Sequence, residues 1–156
     1  MNNLSFEWAE PNSLVAELCK PIKQVFLEFG PHGRPIFVTL WRSDGTGLRL
    51  HSEMHDVAER KEVGVLKFDR VFVPPSDKQI VDVPATFDHD VRASKLIIQE
   101  SGTRAESGVI LKAGSDEIVA VAGAYPYSLA VSGVTSMPHI FEPEYPIELY
   151  TRVPLP

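Results

Sequence analysis

Proline and glycine occur at short intervals along this chain, so we expect its helices and strands to be short. The 156 residues include 13 prolines and 10 glycines. Most segments between them are short and either alternately or continuously apolar, a pattern typical of strands. The sequence therefore predicts strands at Gln24–Phe29, Pro35–Arg42, Gly47–His55, Val63–Phe68, Lys95–Gln99, Val109–Lys112, Glu117–Ala122, Tyr127–Val131 and Ile147–Arg152.

Helical signals are few. Residues Ser13–Cys19 are the best candidate, because Ser13 can cap the start of a helix and Pro21 cannot continue one. A second, shorter helical turn is predicted over Thr86–Ala93, with Phe87 facing inward. Helices should therefore be minor elements of the fold.

The closing third of the chain contains three apolar runs that end at Gly114, Gly123 and Gly133. This regular spacing predicts an antiparallel meander. Its middle run, Ile118–Ala122, is apolar on both faces, so we expect that strand to be covered on both sides.

These patterns define the expected fold class. A chain of this size can bury roughly 68–70% of its unfolded surface, which is enough for a core without disulfides. We predict a single domain over residues 1–156, of the α+β class and β-dominated. Its antiparallel strands should form two layers or a partly open barrel, with one or two short helices.

One hairpin has a register that the sequence can decide. A two-residue loop at Asp44–Gly45 would mix apolar and charged side chains on each face, whereas a three-residue loop at Ser43–Gly45 separates them. We predict the three-residue loop, which pairs Leu40 with Leu48. One face of the hairpin is then apolar and buried: Ile36, Val38, Leu40, Leu48, Leu50 and Met54.

The opposite face of this hairpin mixes aromatic and charged residues. A fully solvated face would not usually carry Phe37 and Trp41, so we expect another segment or a ligand to cover it. Phe37, Trp41 and Arg49 are the candidate ligand-binding residues. The alternative is that Trp41 simply packs against Gly47.

The same face carries a candidate metal site. The His-x-Glu-x-His spacing of His51, Glu53 and His55 places two imidazoles and a carboxylate on one side of a strand. These are ligands of divalent transition metals. The alternative is a solvated face that pairs with Arg49 and needs no cofactor.

Charge and composition exclude several functions. The formal charge of -6 and the dispersed lysines and arginines argue against binding to nucleic acid. The N-terminal residues lack the basic start and apolar run of a secretory signal, and no run is long enough to span a membrane. The single cysteine, Cys19, fits a reducing compartment, so we expect a cytoplasmic protein.

Two classes of function remain open. The first is a small non-catalytic recognition or accessory protein, such as an inhibitor or immunity-type protein, that meets a protein partner. Its Tyr/Pro-rich surface includes Tyr125–Tyr127 and a stretch around Phe141, Tyr145 and Tyr150. The second is a metal-dependent small-molecule enzyme or sensor that uses His51, Glu53 and His55. Self-association into a homo-oligomer is possible in either class.

Overall fold

The computed structural model describes residues 2–75, 79–134 and 141–156. Within these ranges, strands of two to twelve residues dominate and regular helix is limited to one element. The helix α1 spans Leu14–Leu18, and 3-10 turns span Ala85–Asp88 and Ile147–Leu149. The strands are β1 Asn2–Leu4, β2 Glu7–Trp8, β3 Gln24–Phe29, β4 Pro35–Trp41, β5 Gly47–Ala58, β6 Lys61–Val71, β7 Gln79–Val81, β8 Arg92–Glu100, β9 Thr103–Ala113, β10 Asp116–Ala122, β11 Leu129–Ser132 and β12 Thr151–Pro154.

The strands form two sheets that pack as layers. One sheet has the order β2-β6-β5-β4-β3-β7, and the other has the order β11-β10-β9-β8-β12 with β1 paired beside β9. Neighbouring strands are antiparallel except for β1 with β9 and β2 with β6. In the described part of the chain the sheets do not close into a barrel. The predicted β-dominated fold with short helices is confirmed.

The main core lies between the two sheets. Strands β3 to β6 supply Val25, Leu27, Val38, Leu50 and Phe68, and the second sheet supplies the facing apolar residues. Burial of such a continuous apolar layer is the main force that holds two sheets together.

The predicted hairpin register is confirmed. In the pair of β4 with β5, Val38 lies opposite Leu50 and Leu40 lies opposite Leu48. The three-residue loop ends at Gly45, whose φ of 83° is the left-handed conformation that this loop requires. The four paired apolar residues are buried, while Ile36 and Met54 at the far end of the set are partly exposed.

The predicted meander is formed by β9, β10 and β11, which pair in sequence. Ile118 and Ala120 of β10 face the core between the sheets. Val121 and Val119 face a second apolar cluster on the other side, where Tyr150 is also buried. The expected cover on both faces of this strand is therefore confirmed.

The helix at Leu14–Leu18 is also confirmed, and the amide of Ala16 donates to the Oγ of Ser13 at its start. The turn predicted over Thr86–Ala93 is shorter, because the 3-10 turn ends at Asp88 and Ala93 lies in β8. Across the described ranges, no helix has the length and apolar character needed to cross a membrane.

Two predicted strands are displaced. The strand expected at Tyr127–Val131 begins at Leu129, because Tyr127 has a φ of 64° and belongs to the preceding turn. The strand expected at Ile147–Arg152 begins at Thr151, after the 3-10 turn that follows Pro146. In both places a tight turn occupies residues that the apolar pattern assigned to a strand.

Residues 141–150 form a segment, here called the C-terminal strap, that crosses the end of β10. The amide of Glu144 donates to the carbonyl of Ala122 at 2.9 Å, and the amide of Ala124 donates to Glu142 at 2.9 Å. The Glu144 carboxylate in turn accepts a hydrogen bond of 3.1 Å from the amide of Gly64. The strap therefore fastens both sheets at this end.

The Glu144 carboxyl links the stability of the folded protein to pH. Burial raises the pKa of the Glu144 carboxyl, and Glu100 and Glu62 act in the same direction, against the opposing effects of Gly64 and Lys61. The folded pKa of Glu144 lies above the reference value of 4.5. The stability that the protonated Glu144 carboxyl contributes is therefore fully present below that pH and is lost as the pH rises through the folded pKa.

We therefore expect Glu144→Gln to raise the melting temperature at neutral pH and to have a much smaller effect below pH 4.5. Glutamine keeps the acceptor for the Gly64 amide without the buried charge. The exposed Glu148 in the same strap provides the control, since Glu148→Gln should change little at either pH. Thermal unfolding across the pH range is the measurement, and equal curves for the two variants would contradict the assignment.

Candidate functional site

Two of the three predicted ligand-binding residues lie together with a predicted metal ligand. The guanidinium carbon of Arg49 lies 4.4 Å from the centre of the Phe37 ring, and that ring lies 5.3 Å from the His51 ring. His51 Nε2 is 3.3 Å from Asp69 Oδ2, and its Nδ1 is 3.8 Å from Glu53 Oε1. Alternation of side chains along β4, β5 and β6 places all these groups on the outer face of one sheet.

Trp41 lies at the other end of β4 from Phe37. It is four residues along β4 from Phe37, which is about 13 Å in an extended strand. Trp41 pairs with Gly47, and a Cβ atom at Gly47 would lie only 2.8 Å from the Trp41 ring and 2.8 Å from Val71. The indole therefore covers the bare backbone of β5. This contact supports the packing interpretation of Trp41.

The two imidazoles of the predicted metal site contact different carboxylates. His55 Nε2 lies 3.2 Å from Glu7 Oε1 of β2, whereas His51 lies beside Asp69 and Glu53. Across residues 2–75, 79–134 and 141–156, no group of three or more His, Cys, Asp or Glu side chains is arranged to hold a metal ion. The metal site at His51, Glu53 and His55 stays a prediction.

Elemental analysis decides between the predicted metal site and its alternative, a solvated face that needs no cofactor. Because each imidazole already lies against a different carboxylate, we expect protein purified without a polyhistidine tag to contain no stoichiometric transition metal. The variant His51→Ala/His55→Ala is the control. One equivalent of metal in the wild type that is absent from this variant would contradict our expectation and establish the strand site.

Phe37 and His51 also line a cavity, here called the tyrosine cleft. Its volume is about 350 Å³, within the range of pockets that bind ligands. It opens between the β3–β4 loop, β5 and the β10–β11 turn. The lining residues are Gly30, Pro31, His32, Arg34, Ile36, Phe37, His51, Ser52, Tyr125, Pro126, Tyr127 and Ser128.

The β3–β4 loop forms one wall of the tyrosine cleft. The amide of Gly30 donates to the carbonyl of Arg34 at 2.9 Å, and Gly33 takes the left-handed conformation with a φ of 70°. The His32 ring stacks on Tyr125, with 4.5 Å between ring centres and 11° between planes. Arg34 lies over the same tyrosine ring and pairs with Glu142 at 2.6 Å. These contacts join the loop to the other sheet.

The β10–β11 turn forms the other wall. Its Ser128 hydroxyl donates to the carbonyl of Tyr125 at 2.6 Å and accepts from the amide of Tyr125 at 3.2 Å. Tyr127 has a φ of 64°, which is unfavourable for a residue with a bulky side chain, and its side chain is 57% exposed. Backbone strain of this kind is concentrated at binding and active sites.

The tyrosine cleft is apolar in its walls and close to neutral in charge. Among the described residues that line it, none is acidic. Two of its basic residues already contact acidic side chains outside the lining, since Arg34 pairs with Glu142 and His51 lies beside Asp69. The cleft therefore favours a ligand with flat apolar groups over one with a strong charge.

The sequence identified the Tyr125–Tyr127 turn as a candidate interface but gave no reason to associate it with Phe37 and His51. It did not single out His32 or Arg34 at all. The other Tyr/Pro-rich stretch has a structural role, because Tyr145 and Tyr150 pack against the second apolar cluster.

A second cavity, of about 410 Å³, is lined mainly by charged residues, among them Lys20, Arg42 and Asp44. Arg42 pairs with Glu17 at 3.2 Å, and both side chains are almost completely buried. Burial alone would raise the pKa of Glu17, but the hydrogen bond from Lys20 and the charges of Arg42, Lys20 and Arg70 outweigh it and hold that pKa below its usual value. These ion pairs fasten α1 to the hairpin loop.

Comparison of the chain with protein-family models, curated proteins and solved structures finds no match.

Proposed function

We propose that this chain is a non-catalytic recognition protein that binds a protein partner through the tyrosine cleft. The observation that carries this proposal is an open apolar cavity of about 350 Å³ with two exposed tyrosines, Tyr125 and Tyr127, in its lining. Tyrosine is enriched at protein interfaces, where it supplies a large contact area and a polar tip.

The polar groups of the cleft also support recognition. The Ser128 hydroxyl is engaged in the turn that holds Tyr125, and the Ser52 hydroxyl lies 4.0 Å from the sulfur of Met54. The His51 imidazole faces Asp69 and Glu53 on the outer face of the sheet. The two Ser128 hydrogen bonds fix the turn that carries Tyr125, which lowers the entropic cost of binding.

An inhibitor, immunity-type or accessory protein would use such a cleft to receive an exposed segment of its partner. The single cysteine, Cys19, is unpaired, which supports a role in the reducing cytoplasm.

Selection from a displayed peptide library tests the proposal. We expect wild-type protein to enrich a related set of peptides, and Tyr125→Ala and Tyr127→Asn to lose that enrichment. Asparagine at 127 tolerates the positive φ and so removes the ring without adding strain. Phe72→Ala is the matched control, because Phe72 is 66% exposed and lies outside the cleft.

The control variant should select the same peptides as the wild type. Peptides that bind all four proteins equally would show that recognition, if present, takes place elsewhere on the surface, and would overturn the proposal. Circular dichroism of each variant establishes that the fold is retained.

A further inference from the structure

We infer that the segment received by the tyrosine cleft is an extended, proline-rich stretch of a partner chain. This inference rests on the proposed function and assigns the chemistry of its ligand. It is carried by the shape of the cleft walls, by the hydrogen-bonding groups on them and by their charge.

The walls are flat ring surfaces. The parallel stack of His32 on Tyr125 fixes one aromatic plane, and the rings of Tyr127 and Phe37 line the same space together with Pro31. Proline-rich segments dock into aromatic-lined grooves, because pyrrolidine rings pack against aromatic faces. Such segments are already extended in the polyproline II conformation, so they lose little conformational entropy on binding.

The polar groups of the cleft match the backbone of such a segment. Proline has a carbonyl acceptor but no amide donor. Tyr125 and Tyr127 carry hydroxyl groups that can donate at the exposed rim, whereas Arg34 already donates to the His32 carbonyl at 3.3 Å and to Glu142 at 2.6 Å. The described lining residues include no carboxylate that would face the ligand carbonyls.

The charge pattern disfavours an acidic ligand. An acidic peptide would compete with Glu142 for Arg34 and with Asp69 for His51, and both contacts already exist in the folded protein. A prolyl segment adds no charge and leaves both contacts in place. A volume of about 350 Å³ is near the lower limit for ligand pockets, which suits a short anchor from a longer chain.

Isothermal titration of the full chain with a synthetic oligoproline tests the inference. Peptides of the same length made of alternating glycine and serine, and of glutamate, provide the comparison. We expect only the oligoproline to bind. Tyr125→Ala and Tyr127→Asn should each weaken its affinity at least about tenfold, the effect of removing an aromatic anchor from an interface.

Phe72→Ala should keep the wild-type affinity within about twofold, since Phe72 is not part of the cleft. Absence of oligoproline binding, or equal binding by all variants, would overturn the inference. Preferential binding of oligoglutamate would overturn it as well. If the peptide library still yields ligands that depend on Tyr125, the proposed function stands while the proline assignment fails. If no ligand depends on the cleft, both fail.

Discussion

Glu17→Gln is expected to lower the free energy of unfolding by about 3–5 kcal/mol, the usual cost of removing one partner of a buried ion pair. Only 1% of the Glu17 side chain and 2% of the Arg42 side chain are exposed, and Arg42 also donates to the Glu17 carbonyl. With glutamine at position 17, the buried Arg42 guanidinium loses its hydrogen-bonded carboxylate and keeps the weaker attraction of Asp44. Chemical denaturation measures the loss.

The matched control is the same substitution in an exposed pair. Glu117 lies 2.9 Å from Arg152, with both side chains more than a third exposed. Because solvent screens such a pair, Glu117→Gln should cost only about 0–1 kcal/mol. Similar losses in the two variants would contradict the role assigned to the buried pair.

The two variants should also respond differently to acid. The folded pKa of Glu17 lies below the reference value of 4.5. The stability that the ionised Glu17 carboxylate contributes is therefore present above that pH and is lost as the pH falls through the folded pKa. Wild-type protein should therefore lose part of its stability on acidification below pH 4.5, and Glu17→Gln should lose less.

Gly133→Ala is expected to destabilise the protein by about 2–5 kcal/mol, the sum of a left-handed backbone and a steric overlap. Gly133 has a φ of 88°, and a Cβ atom there would overlap the carbonyl oxygen of Glu117 and lie 2.7 Å from its carbonyl carbon. The overlap is with backbone at the start of β10, so no side chain can rotate away to relieve it. Thermal or chemical unfolding measures the effect.

Gly102→Ala separates the two causes. Gly102 also has a positive φ, 75°, but a Cβ atom there would meet nothing within 4 Å. This variant should show only the backbone cost of about 1–2 kcal/mol. If Gly133→Ala is no worse than Gly102→Ala, the close approach between β10 and the segment after β11 is not as described.

The features that the sequence predicted well are local. The loop at Ser43–Gly45 fixes which side chains of β4 and β5 share a face, because side chains alternate strictly along a strand. The same argument correctly placed Phe37, Arg49 and His51 on one surface. The very short strands β1, β2 and β7 were missed, because two or three residues carry no periodic pattern.

The features that the sequence could not predict depend on how the two sheets stack. Tyr125 and His32 are far apart in the chain, and only the packing of the β10–β11 turn against the β3–β4 loop brings their rings together. The buried pair of Glu17 with Arg42 is likewise a contact between residues 25 positions apart. No local pattern encodes either contact.

The most direct test of binding in the tyrosine cleft is to map, by amide chemical shifts, where a peptide selected by the wild-type protein binds. If the peptide binds in the cleft, the largest shifts fall on three segments that meet only in the folded chain: residues 30–37, 51–52 and 125–128. Largest shifts on the C-terminal strap or near Trp41, with those three segments unchanged, would contradict it.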